Sequence, residues 1–290
     1  MNPIRRILIT AFCQTPGLAS AMKLLFPGAE VFTRAAIEKK SATTEDVAHL
    51  LRQIDVWVNI EAGEEFFAGG PFVGSHPNLT YISIPMIEFG AFHPDICAAK
   101  GRGGSIDYTS AIAVWAYKNG MPPDQAAGLF NRRTFTNLGY LSEWERSVAR
   151  LRRSFAASHL AADFDRFYLR IKRLGLFMYS ATHPRAAALA ELAKLIALKL
   201  GQDATVRDAD LPTLDALSYF IWPVYPDIAE NLSLPSSGYV RQWGDGARVQ
   251  GLEPFLTHSF AQYRAKALGP DDIEIPGVDL AHLGNAVKAA

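Results

Sequence analysis

Up to about residue 105, short apolar runs rich in β-branched residues alternate with segments of helical period, and this alternation restricts the fold more than any other feature. The runs are Ile7-Leu8-Ile9-Thr10-Ala11, Glu30-Val31-Phe32-Thr33, Val56-Trp57-Val58-Asn59-Ile60, and Leu79 through Pro85. Between the first two lies a proline-started helix with Leu18, Met22 and Leu25 on one face. Between the second and third, Thr43-Thr44-Glu45-Asp46 opens a helix whose apolar positions are Val47, Leu50, Leu51 and Ile54. Strands separated by helices pair in parallel and deliver their carboxyl ends to one edge. That edge is predicted to gather Cys13 and Gln14, a loop with Glu61, Glu64 and Glu65, and Pro85-Met86-Ile87-Glu88.

Beyond residue 106 the signals become helical. Ser142-Glu143-Trp144-Glu145 has the form of a capping box, followed by the stripe Leu141, Trp144, Val148, Leu151 and Phe155. A basic helix turns Phe164, Tyr168, Ile171 and Leu174 inward, and Thr182-His183-Pro184 starts another that runs to a glycine cap at Gly201. Pro254 begins a last helix, ended by Gly269-Pro270, and the tail after it has weak periodicity, which predicts loose packing or partial disorder. The predicted architecture is α/β: a Rossmann-like parallel sheet over residues 1–105, a largely helical part over 106–268 packed on it, and a tail over 269–290.

Formal net charge is zero, so no global field steers the chain to nucleic acid or an anionic membrane, and the arginine-rich faces of the middle helices read as solvated surface. Cys13 and Cys97 form neither a disulfide framework nor a metal-ligand spacing, so no metal is predicted and a reducing cytoplasm suits them. The apolar run after the basic N-terminus is too short for a signal peptide, and no run reaches the roughly 20 residues of a membrane span. These features predict a soluble cytoplasmic protein.

The chain lacks a dinucleotide fingerprint, a P-loop, a zincin helix and a nucleophile elbow. Its candidate chemistry sits at Cys13, where a helix start lowers a thiol pKa and creates a nucleophile; an inert buried cysteine fits the same position. Gln14 offers a side-chain amide and a backbone N–H to a developing oxyanion. His93, in the turn Phe92-His93-Pro94-Asp95, and His183, at a helix start, are acid–base candidates, each equally a cap or a satisfied buried side chain. Lys100-Gly101-Arg102-Gly103-Gly104 reads as a phosphate-approaching loop or a flexible linker, and Arg132-Arg133 as part of an anion site or as solvated surface.

Several of these segments, in order, resemble the WcbI family of capsular polysaccharide biosynthesis enzymes, regarded as acetyltransferases that bind coenzyme A. The family's Gly-Asn-Cys-Gln element stands here as Ala11-Phe12-Cys13-Gln14, its Asp-Val strand as Asp55-Val56-Trp57-Val58, and its aromatic-His-Pro-Asp turn as Phe92 to Asp95. A His-Pro helix start is matched by Thr182-His183-Pro184, and a Pro-x-Tyr-Pro segment by Pro223-Val224-Tyr225-Pro226. The order holds from about residue 5 to 245. One departure is Phe12, which replaces a polar amide beside the thiol.

The resemblance implies an O-acetyltransferase that moves an acetyl group from acetyl-CoA to a carbohydrate hydroxyl. Cys13, His93 and His183 would be catalytic, and Gln14, Lys100, Arg102, Arg132 and Arg133 would bind the cofactor. Two other readings remain: an SGNH-like or cysteine-dependent esterase with Cys13 as nucleophile, and a non-catalytic coenzyme A or nucleotide-binding module.

Overall fold

A computed structural model describes residues 4–11, 13–35, 49–60, 78–202, 215–235, 238–243 and 246–289. The first half of the helix read over 43–54, the loop with Glu61, Glu64 and Glu65, and Phe12 lie outside the described residues. The first elements are β1 (Arg6–Ala11), α1 (Thr15–Leu25), β2 (Glu30–Ala35), β3 (Val56–Ile60) and β4 (Thr80–Ile84). They are followed by β5 (Ile96–Gly101), β6 (Gly104–Ser110), α2 (Ala111–Lys118), α3 (Pro123–Ala127), α4 (Arg132–Asn137) and α5 (Glu143–Ala156). Next come α6 (Phe164–Arg173), β7 (Met178–Ser180), β8 (His183–Pro184) and α7 (Ala186–Lys199). The chain closes with α8 (Pro226–Asn231), β9 (Val240–Gln242), β10 (Arg248–Gln250), α9 (Leu252–Ala265) and α10 (Leu280–Lys288).

Two compact units result, one made of residues 1–88 and 148–218, the other of 89–147 and 219–290. The chain therefore leaves each unit and returns to it, where the sequence suggested consecutive parts meeting near residue 105. Helices α6 and α7 accompany the sheet.

In the first unit β1 to β4 form a parallel sheet of order β2-β1-β3-β4. β1 and β3 are interior strands, and Ile7, Leu8, Ile9 and all of Val56–Ile60 are buried, as the continuous apolar runs require. Register places Leu8 opposite Trp57, and this pair anchors a cluster with Leu51 and Ile54. A polar relay crosses the buried sheet: Trp57 Nε1 donates to Thr10 Oγ1 (2.7 Å), and Thr10 Oγ1 donates to Asn59 Oδ1 (2.8 Å). Pairing within the relay offsets the cost of burying these groups. Gly17 of α1 faces α7 so closely that a Cβ there would lie 2.5 Å from Leu189 Cδ1. Because β1 connects to β2 on one side and the chain then returns to β3 on the other, the sheet has a topological switch point at the carboxyl end of β1.

In the second unit β5 and β6 form an antiparallel hairpin. The glycine-rich stretch after Lys100 is thus the tip of a hairpin, and the helical signal begins only at Ala111. Gly103 is demanded by packing, since a Cβ would lie 2.4 Å from Lys266 O. The tail is ordered, against the expectation. Glu274 pairs with Lys100 through two backbone hydrogen bonds (3.0 and 2.8 Å), extending the hairpin edge. Asp279 caps α10 by accepting from Ala281 N and His282 N, while Ile273, Ile275, Leu283 and Val287 are buried.

Candidate functional site

β1 ends at Ala11 and α1 begins at Thr15, so Cys13 and Gln14 form the turn between them at the switch point. Pro16 suits the first helical turn because its missing N–H would have had no intrahelical partner. The backbone N–H groups of Cys13 and Gln14 favour a thiolate at this turn, but burial outweighs them and raises the thiol pKa. Cys13 is a half-buried free thiol that stays protonated at neutral pH.

Gln14 is buried, and its side chain is fully engaged. Its amide nitrogen donates to Ile87 O (2.8 Å) and Thr182 O (3.1 Å), and its carbonyl accepts from Ile87 N (3.3 Å). Both amide hydrogens are spent on backbone carbonyls, so the side chain is not available to an oxyanion as the sequence suggested. It joins the turn after β1 to the segment after β4 and to the residue preceding His183. Ser154 holds that segment from another side, accepting from Met86 N and donating to Met86 O (3.1 and 3.2 Å). His159, to which the sequence assigned nothing, accepts from Ser83 N at Nδ1 (3.1 Å) and so fixes the end of β4.

His183 lies on β8, three residues before α7, rather than at the helix start itself. It is 4% exposed, and its Nδ1 is 2.6 Å from Ser180 Oγ, its register partner on β7. Burial lowers its pKa, so the ring is neutral at pH 7 and able to accept a proton. Cys13 and His183 thus meet through their chain neighbours, because the residue after the cysteine is bonded to the residue before the histidine.

The other sequence candidates belong to the second unit. His93 is buried in the turn leading to β5, with Nδ1 3.3 Å from Pro223 O. Two residues on, Asp95 is a fully buried carboxylate that accepts from Ser110 Oγ, Tyr225 OH (2.7 Å), Tyr140 OH (3.0 Å) and Ile112 N (3.1 Å). Burial outweighs these four donors and raises its pKa to about 6. The Phe92–Asp95 turn and the Pro223–Pro226 segment are therefore clasped twice, through His93 and through Asp95.

Lys100 and Arg102 stand opposite Glu274 (3.6 Å) and Asp272 (3.9 Å), and Arg132 opposite Glu230 (3.2 Å). Arg133 is an exposed residue in the first turn of α4. The sequence places Asp95 in the aromatic-His-Pro-Asp turn without assigning it a role, and it gives no signal for Ser180 or Arg241. Arg241 is buried among Trp222, Trp243 and Phe255, with Nη2 donating to Tyr108 O (2.9 Å). No group of three or more metal-ligating side chains occurs among the described residues.

A model of the family described as polysaccharide biosynthesis enzyme WcbI matches residues 6–205. No protein among those with curated descriptions matches the chain. A solved structure of WcbI, described as the native protein without a disulfide bond between coenzyme A and a cysteine, has the same fold with a TM-score of 0.66. It is 15% identical in sequence, and the match covers 99% of this chain and 94% of that one.

Proposed function

Because the chain belongs to the WcbI family of polysaccharide biosynthesis enzymes, we propose that it transfers an acetyl group from acetyl-CoA to a carbohydrate hydroxyl. One observation carries this reading: a half-buried thiol at the sheet's switch point is tied, through Gln14 and Thr182, to a buried neutral imidazole. The solved WcbI is described by reference to a disulfide between coenzyme A and a cysteine, and Cys13 is the residue we assign to meet the cofactor's sulfur. The turn suits that end of the cofactor, since the thiol is partly accessible and the adjacent backbone N–H groups favour negative charge there.

Bound acetyl-CoA supplies an activated thioester. His183 accepts the proton of the acceptor hydroxyl at Nε2, with Ser180 holding Nδ1 and fixing the ring plane, as the hydroxyl oxygen bonds to the acetyl carbonyl carbon. The thioester C–S bond then breaks, and His183 returns the proton to the departing coenzyme A sulfur. The N–H groups of Cys13 and Gln14 favour negative charge at the turn. The raised thiol pKa supports direct transfer over acylation of Cys13, which then serves as pocket wall. His93 stands as a second acid–base candidate, and Lys100, Arg102, Arg132 and Arg133 as phosphate-binding candidates, each to be tested by substitution.

The test combines binding with turnover. Coenzyme A and acetyl-CoA should raise the melting temperature, and nucleoside monophosphates should not. Transfer to a carbohydrate acceptor should persist in Cys13→Ala and fall at least 100-fold in His183→Ala, in keeping with the roughly 10²–10⁴-fold contribution of a general base. Full transfer by both His93→Ala and His183→Ala would overturn the acid–base assignment. Thioester hydrolysis with no preference for any acceptor would replace the transferase with a hydrolase.

A further inference from the structure

We infer that the exposed face of α6 docks the protein on an anionic lipid surface. The inference is independent of the chemistry proposed above, and it starts from charge segregation. Between residues 148 and 175 seven arginines and lysines stand against two aspartates, in a chain whose formal net charge is zero. Much of that excess lies on α6, an amphipathic helix whose inner side buries Phe164, Phe167 and Ile171. Helical spacing puts Arg166, Leu169, Lys172 and Arg173 together on the outer side, and all four are exposed.

Two of the acids near this face are already neutralised. Asp165 pairs with Arg152 (2.9 Å), and Glu191 pairs with Arg170 (2.8 Å) and Lys194 (2.6 Å). Among the described residues Arg166, Lys172 and Arg173 face no carboxylate, and Lys172 rests only over the Tyr168 ring (5.9 Å). Leu169 stands among these cations and is 57% exposed, more than any other large apolar side chain among the described residues.

A leucine ringed by cations that meet no described carboxylate matches an anionic bilayer on both counts. The cations meet lipid phosphates, and the leucine enters the acyl boundary. A phosphate backbone or an acidic glycan would use the cations but gain nothing from the leucine. No described helix is long and apolar enough to cross a membrane, so the contact is peripheral.

The test is co-sedimentation of the full chain with vesicles of phosphatidylglycerol and phosphatidylcholine, compared with phosphatidylcholine alone. Binding should require phosphatidylglycerol and weaken with salt. Each cation near a charged surface is worth about fivefold, so the combined Arg166→Gln, Lys172→Gln and Arg173→Gln variant should bind on the order of 100-fold more weakly. Leu169→Gln should weaken binding roughly tenfold while leaving the salt dependence in place. The charge-matched control Arg248→Gln, Lys266→Gln, Lys288→Gln should bind like wild type. All the altered side chains are exposed, and unchanged melting temperatures will show that the variants fold. Equal binding to neutral vesicles, or undiminished binding by the triple variant, would overturn the inference. So would capture of single-stranded DNA or an acidic glycan by the same residues without vesicle binding.

Discussion

Replacing Asp95 by asparagine should remove a pH-dependent component of stability whose sign and size follow from its surroundings. The carboxyl is fully buried, and its pKa is raised to about 6 from an ordinary 3.8. The folded chain therefore binds a proton more tightly at Asp95 than the unfolded chain does. That stabilisation is complete below about pH 4 and is lost as pH rises through about 6. About two pH units of separation correspond to roughly 3 kcal/mol.

The two oxygens are not equivalent. One faces Ile112 N–H, which can only donate, together with Tyr140 OH, and the other faces the hydroxyls of Ser110 and Tyr225, which can turn to accept. The proton of the neutral acid, and the NH₂ of Asp95→Asn, both fit on the hydroxyl side. Denaturant unfolding followed by tryptophan fluorescence is a suitable assay, because Trp115, Trp144, Trp222 and Trp243 all lie in the unit that holds Asp95. The stability of wild type minus that of Asp95→Asn should fall by roughly 2.5 kcal/mol between pH 4 and pH 7.5. A flat difference, or one that rises with pH, would show that the carboxylate is stabilised in place and that burial is not the dominant influence.

Gln14→Leu keeps the volume but leaves Ile87 O, Thr182 O and Ile87 N without their partner. Stability should drop by roughly 2–4 kcal/mol, and protection of Ile87 N–H from hydrogen exchange should fall with it. Gly103→Ala should cost about 1–3 kcal/mol through the clash with Lys266 O, whereas Gly28→Ala, with nothing within 4 Å, should be neutral or slightly stabilising in the same melting assay. In His183 the lowered pKa predicts that the acid limb of the transfer rate has its midpoint below 6.5, with a plateau through neutrality. Ser180→Ala should lower that rate and move the midpoint.

The sheet was legible because β1 and β3 are buried on both faces, and burial on both faces demands the unbroken apolar runs seen at Ile7–Ile9 and Val56–Val58. The hairpin was not, because Ile96-Cys97-Ala98-Ala99-Lys100-Gly101 alternates weakly and its partner carries Ser105, Asp107 and Thr109. Its pairing is held by register and by the docked tail, which local pattern does not encode. The tail itself looked structureless because Glu274 pairs with Lys100 and α10 packs on α2 and α4, all more than a hundred residues earlier in the chain. At the candidate site, Cys13 could be placed from its strand and helix start, yet the thiol's rise in pKa comes from burial that only the folded chain supplies. Asp95 was visible in the aromatic-His-Pro-Asp turn, but its buried cluster was not legible, for the same reason. Three of its four donors, from Ser110, Tyr140 and Tyr225, are scattered over more than a hundred residues.

Gln14 has a consequence for the order in which the protein is made. Its partners lie 73 and 168 residues farther along the chain. When β4 has left the ribosome, all four strands of the sheet have been synthesised, but the turn after β1 lacks Thr182 and the neighbouring histidine. At about 5–20 residues per second, Thr182 follows Ile87 by roughly 5–20 s. Throughout that interval the nascent sheet carries a cysteine turn without the Thr182 half of its clasp, so the candidate site is completed only after most of the first unit's chain has been synthesised. An excised fragment covering the four strands would reproduce the sheet and not the site.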